Sequence, residues 1–241
     1  MATLTNFLDV ALENNMKFDQ PTLITITAPT CSGKSFLLNE LTKSLCTRIV
    51  STTTRAPRLE EVEGVDYFFI SEAQSLQMEK GDKFAELITF RGTRYGVTKT
   101  EMESKMMAAR PPIVILEPAG LAIYEDYCRK NSWNIFKTYV YTEEAVRIQR
   151  LNDRTFVDVL GASYDHSGWT GHPPTSSTVR QAIARHTDRL LSITGDERTW
   201  QAQARWDLLV PGDNLEKAVA DMKQQVAWVN RKNAEPKPHT I

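Results

Sequence analysis

The stretch Ala28-Pro29-Thr30-Cys31-Ser32-Gly33-Lys34-Ser35 decides the fold of this chain. The run before it, 22–27, is apolar and β-branched, as in a buried strand, and leucines recur at helical spacing after it. A strand, a loop of small residues ending in Gly-Lys-Ser and a helix together predict a phosphate-binding loop. We therefore expect the phosphates of a nucleotide to bind at this point of the chain.

The chemistry of this loop can be read from its residue types. Its backbone N–H groups would turn inward, and the helix N-terminus adds a partial positive charge. Lys34 would reach the β- and γ-phosphates of ATP, and the Ser35 hydroxyl would bind Mg²⁺. Residue 28 is Ala where the motif usually has Gly, and the turn tolerates Ala if its φ stays below zero. The residues expected to bind ATP phosphate are Thr30, Cys31, Ser32, Gly33, Lys34 and Ser35.

Composition limits the class of protein. The chain has 241 residues, 41% hydrophobic and 24% charged, as in a globular protein with a substantial core. The net charge is −1, so we do not expect binding to nucleic acid. Cys31, Cys46 and Cys128 have neither a pairing pattern nor metal-site spacing, which favours the reducing cytoplasm. No apolar run approaches the roughly 20 residues of a membrane span, and residues 1–20 lack the signal-peptide pattern.

Strand-like and helix-like segments alternate along the chain. Apolar runs at 22–27, 113–116, 135–141 and 207–210 predict a parallel sheet with helices on both faces, an α/β fold of three layers. The strand-rich stretch 52–97 interrupts this alternation and predicts a small inserted lobe. The predicted division is a core of 1–51, 98–152 and 179–232, a mixed α/β lobe of 52–97, an extended lid of 153–178 and a disordered tail of 233–241.

Several local features are predicted as well. We expect a short strand at 48–51 and an amphipathic helix near the N-terminus, where Leu4, Phe7 and Leu8 fall at helical spacing. Ser71 is expected to cap a short helix over 72–80, and Thr142 is expected to cap another helix. Residues 155–177 are rich in Gly, Ser and Pro, which predicts a long loop of the functional or mobile kind.

A second dense motif lies in residues 49–70, which read IVSTTTRAPRLEEVEGVDYFFI. Arg55 and Arg58 are three residues apart, and their guanidinium groups suit a phosphate monoester with roughly two negative charges. Tyr67 and Tyr95 can donate hydroxyl hydrogen bonds to the same phosphate. These residues predict a second phosphate site, separate from the phosphate-binding loop.

This motif resembles the monophosphate-binding region of guanylate kinases. The family pattern S-x-T-T-R-x-P-R-x-x-E-x-x-G-x-D-Y-x-F is matched at Ser51, Thr53, Thr54, Arg55, Pro57, Arg58, Glu61, Gly64, Asp66, Tyr67 and Phe69. Phe84-Ala85-Glu86 and Tyr95-Gly96 match later family motifs in order and spacing. The resemblance covers about 22–154 well and the rest loosely. It implies a P-loop kinase fold and Mg²⁺-dependent transfer of the γ-phosphoryl group of ATP, the co-substrate, to a nucleoside monophosphate.

The resemblance also implies roles for single residues. Glu86 would accept hydrogen bonds from the ring N–H and the exocyclic amine of guanine, although an exposed strand carboxylate is the alternative. Arg150 and Arg154, four residues apart on one helical face, would contact the transferring phosphates together with Lys34. A further lid arginine would be Arg180 or Arg185. The residues implied to bind the acceptor are Ser51, Arg55, Arg58, Tyr67, Glu86, Tyr95, Val97 and Glu117.

The chain departs from the family pattern in its base-reading region. Val97 replaces a hydroxyl residue that usually contacts the guanine O6, and valine cannot donate a hydrogen bond. Ile115 and Glu117 occupy the positions of the two acids in the family motif Asp-x-Asp. The first acid is therefore lost, and the second has a side chain that is one methylene longer. Glu117 could hold a magnesium-bound water or contact the base. These changes predict an altered or relaxed base preference.

The lid is longer than in typical family members. His166, Trp169 and His172 lie in it, and their number and spacing do not suit a zinc site. We interpret the segment as a mobile loop.

Two other functions are compatible with these motifs. One is a non-catalytic guanylate-kinase-like module that holds phosphopeptides, although the intact Gly33-Lys34-Ser35 argues against it. The other is a kinase acting on a modified base or an end within DNA, and the near-neutral charge argues against that. We expect small-molecule nucleotides as partners, no membrane association, and a monomer or homodimer.

Overall fold

The computed structural model of the protein describes residues 20–57, 61–90, 92–160 and 175–234. The expected N-terminal helix, the end of the expected tail and most of the expected lid lie outside these ranges. The strands are β1 (Thr22–Thr27), β2 (Thr47–Arg48), β3 (Ser51–Thr53), β4 (Tyr67–Phe69), β5 (Phe84–Phe90), β6 (Thr93–Thr98), β7 (Pro112–Ile115), β8 (Asn134–Tyr141) and β9 (Leu208–Pro211). The α-helices are α1 (Lys34–Thr42), α2 (Glu72–Lys80), α3 (Lys99–Met106), α4 (Pro118–Lys130), α5 (Glu144–Leu160), α6 (Ser176–Thr194) and α7 (Leu215–Ala234), and a 3₁₀ helix spans Asp196–Gln203.

The core is a five-stranded sheet in the order β2-β7-β1-β8-β9, and every neighbouring pair in it is parallel. All residues of β1 are buried, as expected of a central strand covered on both faces. Ile26 of β1 pairs with Ile115 of β7, so the carboxyl ends of these strands meet at one edge. The parallel sheet predicted from the apolar runs is confirmed.

Helices cover both faces of this sheet, which makes the three layers. Ile24 and Ile26 pack with side chains of α1 and α7, such as Leu41 and Met222. Leu23 points to the other face, where it shares a buried cluster with residues of α3, α4 and the lobe. The alternation along β1 follows from the two-residue repeat of a strand.

The lobe is built on a second sheet, in the order β4-β3-β6-β5. β3 runs parallel to β4 and antiparallel to β6, and β5 and β6 form an antiparallel pair. Helix α2 of the lobe starts as predicted at Ser71, whose hydroxyl accepts from the Gln74 N–H in a capping box.

The predicted single strand at 48–51 is wrong. Arg48 ends β2 in the core sheet, and Ser51 begins β3 in the lobe sheet. Between them, the N–H of Ile49 still donates to the carbonyl of Ile113 in the core sheet. The N–H of Val50 donates instead to the side chain of Glu101. The backbone ladder therefore ends at this point, and the chain crosses from one sheet to the other.

The predicted loop at 155–177 is wrong at both ends. Helix α5 continues to Leu160 and α6 begins at Ser176. The two helices pack together and form a side-chain hydrogen bond between them. Thr155 of α5 hydrogen-bonds His186 of α6 at 2.8 Å, and Leu151 is fully buried beside them.

Thr142 does not cap α5. Its hydroxyl oxygen is buried and has no hydrogen-bond partner among the described residues. The N–H of Glu143 instead donates to the carboxylate of Asp213, which belongs to the loop after β9. A contact distant in sequence has replaced the local cap that the sequence suggested.

The 3₁₀ helix links the lobe to the rest of the chain. Arg198 forms two hydrogen bonds of 2.8 Å with Glu144 at the start of α5. Trp200 is buried, and its ring lies 6.5 Å from that of Phe90 at the end of β5. The 3₁₀ helix therefore contacts the lobe sheet and the first turn of α5 at once.

Two further predictions can be compared with the structure. All three cysteines carry free thiols. In the part of the chain that the structure describes, no helix has the length and apolar character to cross a membrane.

Candidate functional site

The phosphate-binding loop connects the buried end of β1 to the first turn of α1. Gly33 has φ 91° and Cys31 has φ 63°, so both lie in the left-handed region. Ala28 is not among the described residues with positive φ, and it is buried. The turn therefore accommodates Ala in place of the usual Gly without backbone strain.

The loop keeps donors that a phosphate can use. No side chain caps the N-terminus of α1, and the uncapped end of a helix is a place where anions bind. The hydroxyl of Ser32 is buried and has no hydrogen-bond partner among the described residues. Lys34 Nζ contacts the carbonyl oxygens of Ala28 at 3.4 Å and Pro29 at 3.3 Å, both at the long end for a hydrogen bond. These features fit the phosphates of ATP.

The residues at the loop also suit Mg²⁺. Ser35 is exposed in the first turn of α1 and offers a hydroxyl oxygen. The described residues contain no group of three or more His, Cys, Asp and Glu placed to hold a metal by themselves. Mg²⁺ bound with a nucleotide needs only one or two protein oxygens, because phosphates and waters supply the rest. When bound, it would neutralise charge on the phosphates of ATP.

A second loop, after β9, lies directly on the phosphate-binding loop, although no sequence motif points to it. A Cβ on Gly212 would lie 2.6 Å from the carbonyl oxygen of Ser32 and 2.0 Å from Thr142 Oγ1. A Cβ on Gly33 would lie 2.4 Å from a methyl carbon of Leu215. The only sequence signal was a Gly directly after a strand, which is a common turn signal.

Arg150 is the predicted lid arginine that the structure brings to the phosphate-binding loop. Its guanidinium donates to the carbonyl of Cys31 at 3.3 Å and to that of Gly212 at 2.8 Å. It therefore joins the two loops. Arg154 lies one turn further along α5 and is exposed. Arg180 is exposed and Arg185 is half-buried on α6, so the choice between them stays open.

The pleat of the lobe sheet places the predicted acceptor residues on one face. Ser51 pairs with Tyr67, and Glu86 pairs with Val97, so the members of each pair share a face. Tyr95 is two residues before Val97 on β6 and lies on that same face. We call this set, Ser51, Tyr67, Glu86, Tyr95 and Val97, the acceptor face.

Arg55 lies at one end of the acceptor face and is held by Glu61. Its two terminal nitrogens donate to the Glu61 carboxylate at 2.7 and 2.8 Å. Its guanidinium lies 5.1 Å from the centroid of Tyr67 and 5.8 Å from that of Phe69. Burial lowers the pKa of Arg55, but the hydrogen bonds and charge of Glu61 outweigh burial and raise that pKa above its usual value. Arg58 lies outside the described residues.

Glu86 lies at the other end of the acceptor face and is only 6% exposed. The hydroxyl of Tyr124 on α4 is hydrogen-bonded to its carboxyl group. A Cβ on Gly120 would lie 2.9 Å from Glu86 Oε1, so the glycine makes room for the carboxyl. Burial raises the pKa of Glu86 to about 8, and the Tyr124 hydrogen bond opposes this only in part. The sequence did not single out Tyr124.

Val97 and Glu117 are the remaining predicted acceptor residues in the described part of the chain. Val97 is 1% exposed and presents only methyl groups on the acceptor face. Glu117 occupies the N-cap position of α4 with an extended backbone, makes no capping hydrogen bond with its side chain and is half-buried. Because Ile115 ends β7 beside β1, Glu117 lies at the edge of the core sheet where the phosphate-binding loop also starts.

Comparison with known proteins identifies the family. The family model described as guanylate kinase matches residues 20–154, more than half of the chain. The chain belongs to the guanylate kinase family. The resemblance read from residues 49–70 is therefore confirmed.

Relatives within the guanylate kinase family match to different extents. The guanylate kinase of Chlamydia felis is 34% identical over 103 residues, 42% of this chain and 50% of that protein. The chain thus spans about half the length of the first curated relatives it matches. The guanylate kinase of Protochlamydia amoebophila is 26% identical over 203 residues, 81% of this chain and 85% of that protein.

A solved structure supports the fold. The guanylate kinase of Anaplasma phagocytophilum superimposes with a TM-score of 0.57 at 15% identity, covering 87% of this chain and 86% of that one. At this identity the likeness concerns the fold alone, which is the three-layer P-loop kinase fold of the guanylate kinase family.

Proposed function

We propose that this protein is a magnesium-dependent kinase that transfers the γ-phosphoryl group of ATP to a purine nucleoside or deoxynucleoside monophosphate. The observation that carries the proposal is the presence of two phosphate sites in one molecule. The phosphate-binding loop supplies an uncapped helix N-terminus and Lys34, and Arg55 lies beside Tyr67 at one end of the acceptor face. A donor and an acceptor phosphate are what phosphoryl transfer requires.

The residues of this chain would act mainly by positioning and by charge. Lys34 at the phosphate-binding loop neutralises negative charge on ATP. Arg150, fixed between the two loops, brings a second positive charge to the same place. Phosphoryl transfer needs little covalent help from a protein, so alignment of donor and acceptor supplies most of the rate. Arg154 is proposed to join Arg150 at the transferring phosphate.

The acceptor base is proposed to differ from the guanine of ordinary family members, or to be read less strictly. Val97 offers no hydrogen bond on the acceptor face, and Ile115 supplies no carboxylate. A site that forms a hydrogen bond to one group of a base rejects bases without that group. When the site lacks its own hydrogen-bonding group, this discrimination is weaker.

The test is a panel of purine and pyrimidine monophosphates with ATP and Mg²⁺, in which ADP release is followed. We expect turnover with at least one purine monophosphate, and a loss of kcat of about 100-fold or more in Lys34→Ala. Lys43→Ala is the matched control, because Lys43 is exposed at the far end of α1 and pairs with Glu40.

Two results would overturn the proposal. One is an absence of turnover with every monophosphate, and phosphopeptide binding in that case would point to a non-catalytic module. The other is equal turnover in Lys34→Ala and Lys43→Ala, which would place the chemistry away from the phosphate-binding loop.

A further inference from the structure

Glu86 has surroundings that are unusual for a charged carboxylate. It is 6% exposed, its strand partner Val97 is 1% exposed, and the cluster around them is apolar. Taking an isolated carboxylate out of water is costly, and such a group normally takes up a proton instead. The Tyr124 hydroxyl gives it one hydrogen bond but no positive charge.

The position of this carboxyl is fixed by α4. Tyr124 and Gly120 are four residues apart and so lie on one face of the helix. The glycine leaves space for Oε1, since a Cβ there would lie 2.9 Å from that atom. Tyr124 is 1% exposed, so its hydroxyl hydrogen is held in place for Glu86.

We propose that burial keeps Glu86 as a neutral carboxylic acid, held in position by Tyr124 and Gly120, and that this acid selects a purine whose N1 carries no hydrogen and whose neighbouring carbon carries an amino group. A carboxylic acid offers one O–H donor beside one acceptor oxygen, and this edge of adenine offers one acceptor beside one donor. Two hydrogen bonds can form in parallel. The proposal rests on the proposed function, because it assigns the base of the acceptor.

Guanine does not match such an acid. Its N1–H and 2-amino groups are both donors, so it needs two acceptor oxygens and hence an ionised Glu86. Its O6 would also lack a donor at Val97, if it lies on the acceptor face beside Glu86. The same side chain therefore favours adenine when it is neutral and guanine when it is charged.

This dual behaviour makes the preference depend on pH. The pKa of Glu86 is raised by burial to about 8, within the range where proteins can be assayed. The titrating groups of α4 that are buried in the same cluster, Tyr124 and Cys128, stay neutral there, because burial raises the pKa of Tyr124 well above its usual value and that of Cys128 to about 12. Val97 from β6 and Met102 from α3, in the same cluster, do not titrate. Glu117, three residues before Gly120, adds no positive charge.

The experiment measures binding of AMP and GMP to the whole protein by calorimetry at pH 7 and pH 9, without ATP. At pH 7 we expect AMP to bind more tightly. Between the two pH values AMP should weaken about tenfold and GMP should tighten about tenfold, as a group with a pKa near 8 changes from mainly neutral to mainly charged. The ratio of the two dissociation constants should thus change by about 100-fold.

Two variants make the test specific. In Glu86→Gln the amide offers one donor and one acceptor and does not titrate, so the ratio should be the same at both pH values. Any remaining change would come from titration of the nucleotides. In Tyr124→Phe the hydrogen bond that lowers the pKa of Glu86 is lost, so the change of preference should move to higher pH. If Tyr124 had a purely structural role, the pH at which the base preference changes would stay the same.

The outcomes separate this inference from the proposed function. Tighter binding of GMP than AMP at pH 7, with a flat profile to pH 9, overturns the inference even if the protein phosphorylates GMP. The predicted pH dependence without turnover would support the inference and overturn the kinase proposal. Absence of binding to either nucleotide overturns the inference, whereas the kinase proposal is then decided by turnover in the full panel of monophosphates.

Discussion

Arg55 and Glu61 form a two-bond ion pair, with nitrogen–oxygen distances of 2.7 and 2.8 Å, inside the lobe. Both side chains are mostly buried, with 17% and 14% of their surfaces exposed. The pair occupies the guanidinium edge that would otherwise be free to bind a phosphate. Glu61 therefore competes with an acceptor phosphate for Arg55 and also compensates a buried charge.

The Glu61→Gln substitution is expected to have opposite effects on stability and on binding. The free energy of unfolding should fall by about 1–3 kcal/mol, because Arg55 loses its charged partner. The affinity for the acceptor monophosphate should rise about fivefold, which corresponds to removing roughly 1 kcal/mol of like-charge repulsion. Urea denaturation and calorimetry measure the two quantities.

Glu216→Gln is the control for this variant, since Glu216 is exposed in the first turn of α7. Weaker acceptor binding in Glu61→Gln would contradict the prediction, and it would mean that Glu61 orients Arg55 for phosphate.

Gly212→Ala is expected to disturb the donor site. The new Cβ would lie 2.0 Å from Thr142 Oγ1 and 2.6 Å from the Ser32 carbonyl oxygen, so the loop after β9 must shift. Overpacking of this kind costs about 1–3 kcal/mol. We expect a melting temperature lower by about 4–8 °C and weaker ATP binding, while binding of the acceptor changes little.

The matched control is Gly81→Ala, where the nearest atom to a new Cβ is 3.5 Å away and φ is −84°. If Gly212→Ala and Gly81→Ala melt at the same temperature and bind ATP equally, the two loops do not depend on each other.

Asp207 is expected to make stability depend on pH. It is buried, and burial raises its pKa to about 6, although the N–H of Lys137 donates to it at 2.7 Å. A carboxyl whose pKa is higher in the folded state stabilises the fold fully below its unfolded pKa. That contribution is lost as the pH rises through about 6.

The Asp207→Asn variant should therefore gain stability relative to the parent as the pH rises. The amide oxygen can still accept from Lys137 but does not titrate. We expect the difference in unfolding free energy, variant minus parent, to increase by about 2–3 kcal/mol from pH 4 to pH 7. Urea denaturation across this range measures it, and two curves that stay parallel would disprove the role of Asp207.

The sequence predicted those parts of the molecule that depend on neighbouring residues. The phosphate-binding loop was recognisable because its backbone geometry is set by a short run of small residues between a strand and a helix. The cap at Ser71 was recognisable for the same reason, since the Ser71 hydroxyl and the Gln74 N–H are close in the chain. At Thr142 the same reasoning failed, because Asp213, far along the chain, supplies the partner of Glu143.

Sequence alone determined that this chain has a parallel-sheet P-loop core and belongs with the guanylate kinases, because strand periodicity and the two phosphate motifs are local properties. Only the tertiary structure placed Gly212 on the phosphate-binding loop, Arg150 between two loops and Tyr124 on Glu86. These contacts join segments far apart in the chain. The charge of Glu86 depends on how completely they exclude water, and burial is a property of packing that no single stretch of sequence contains.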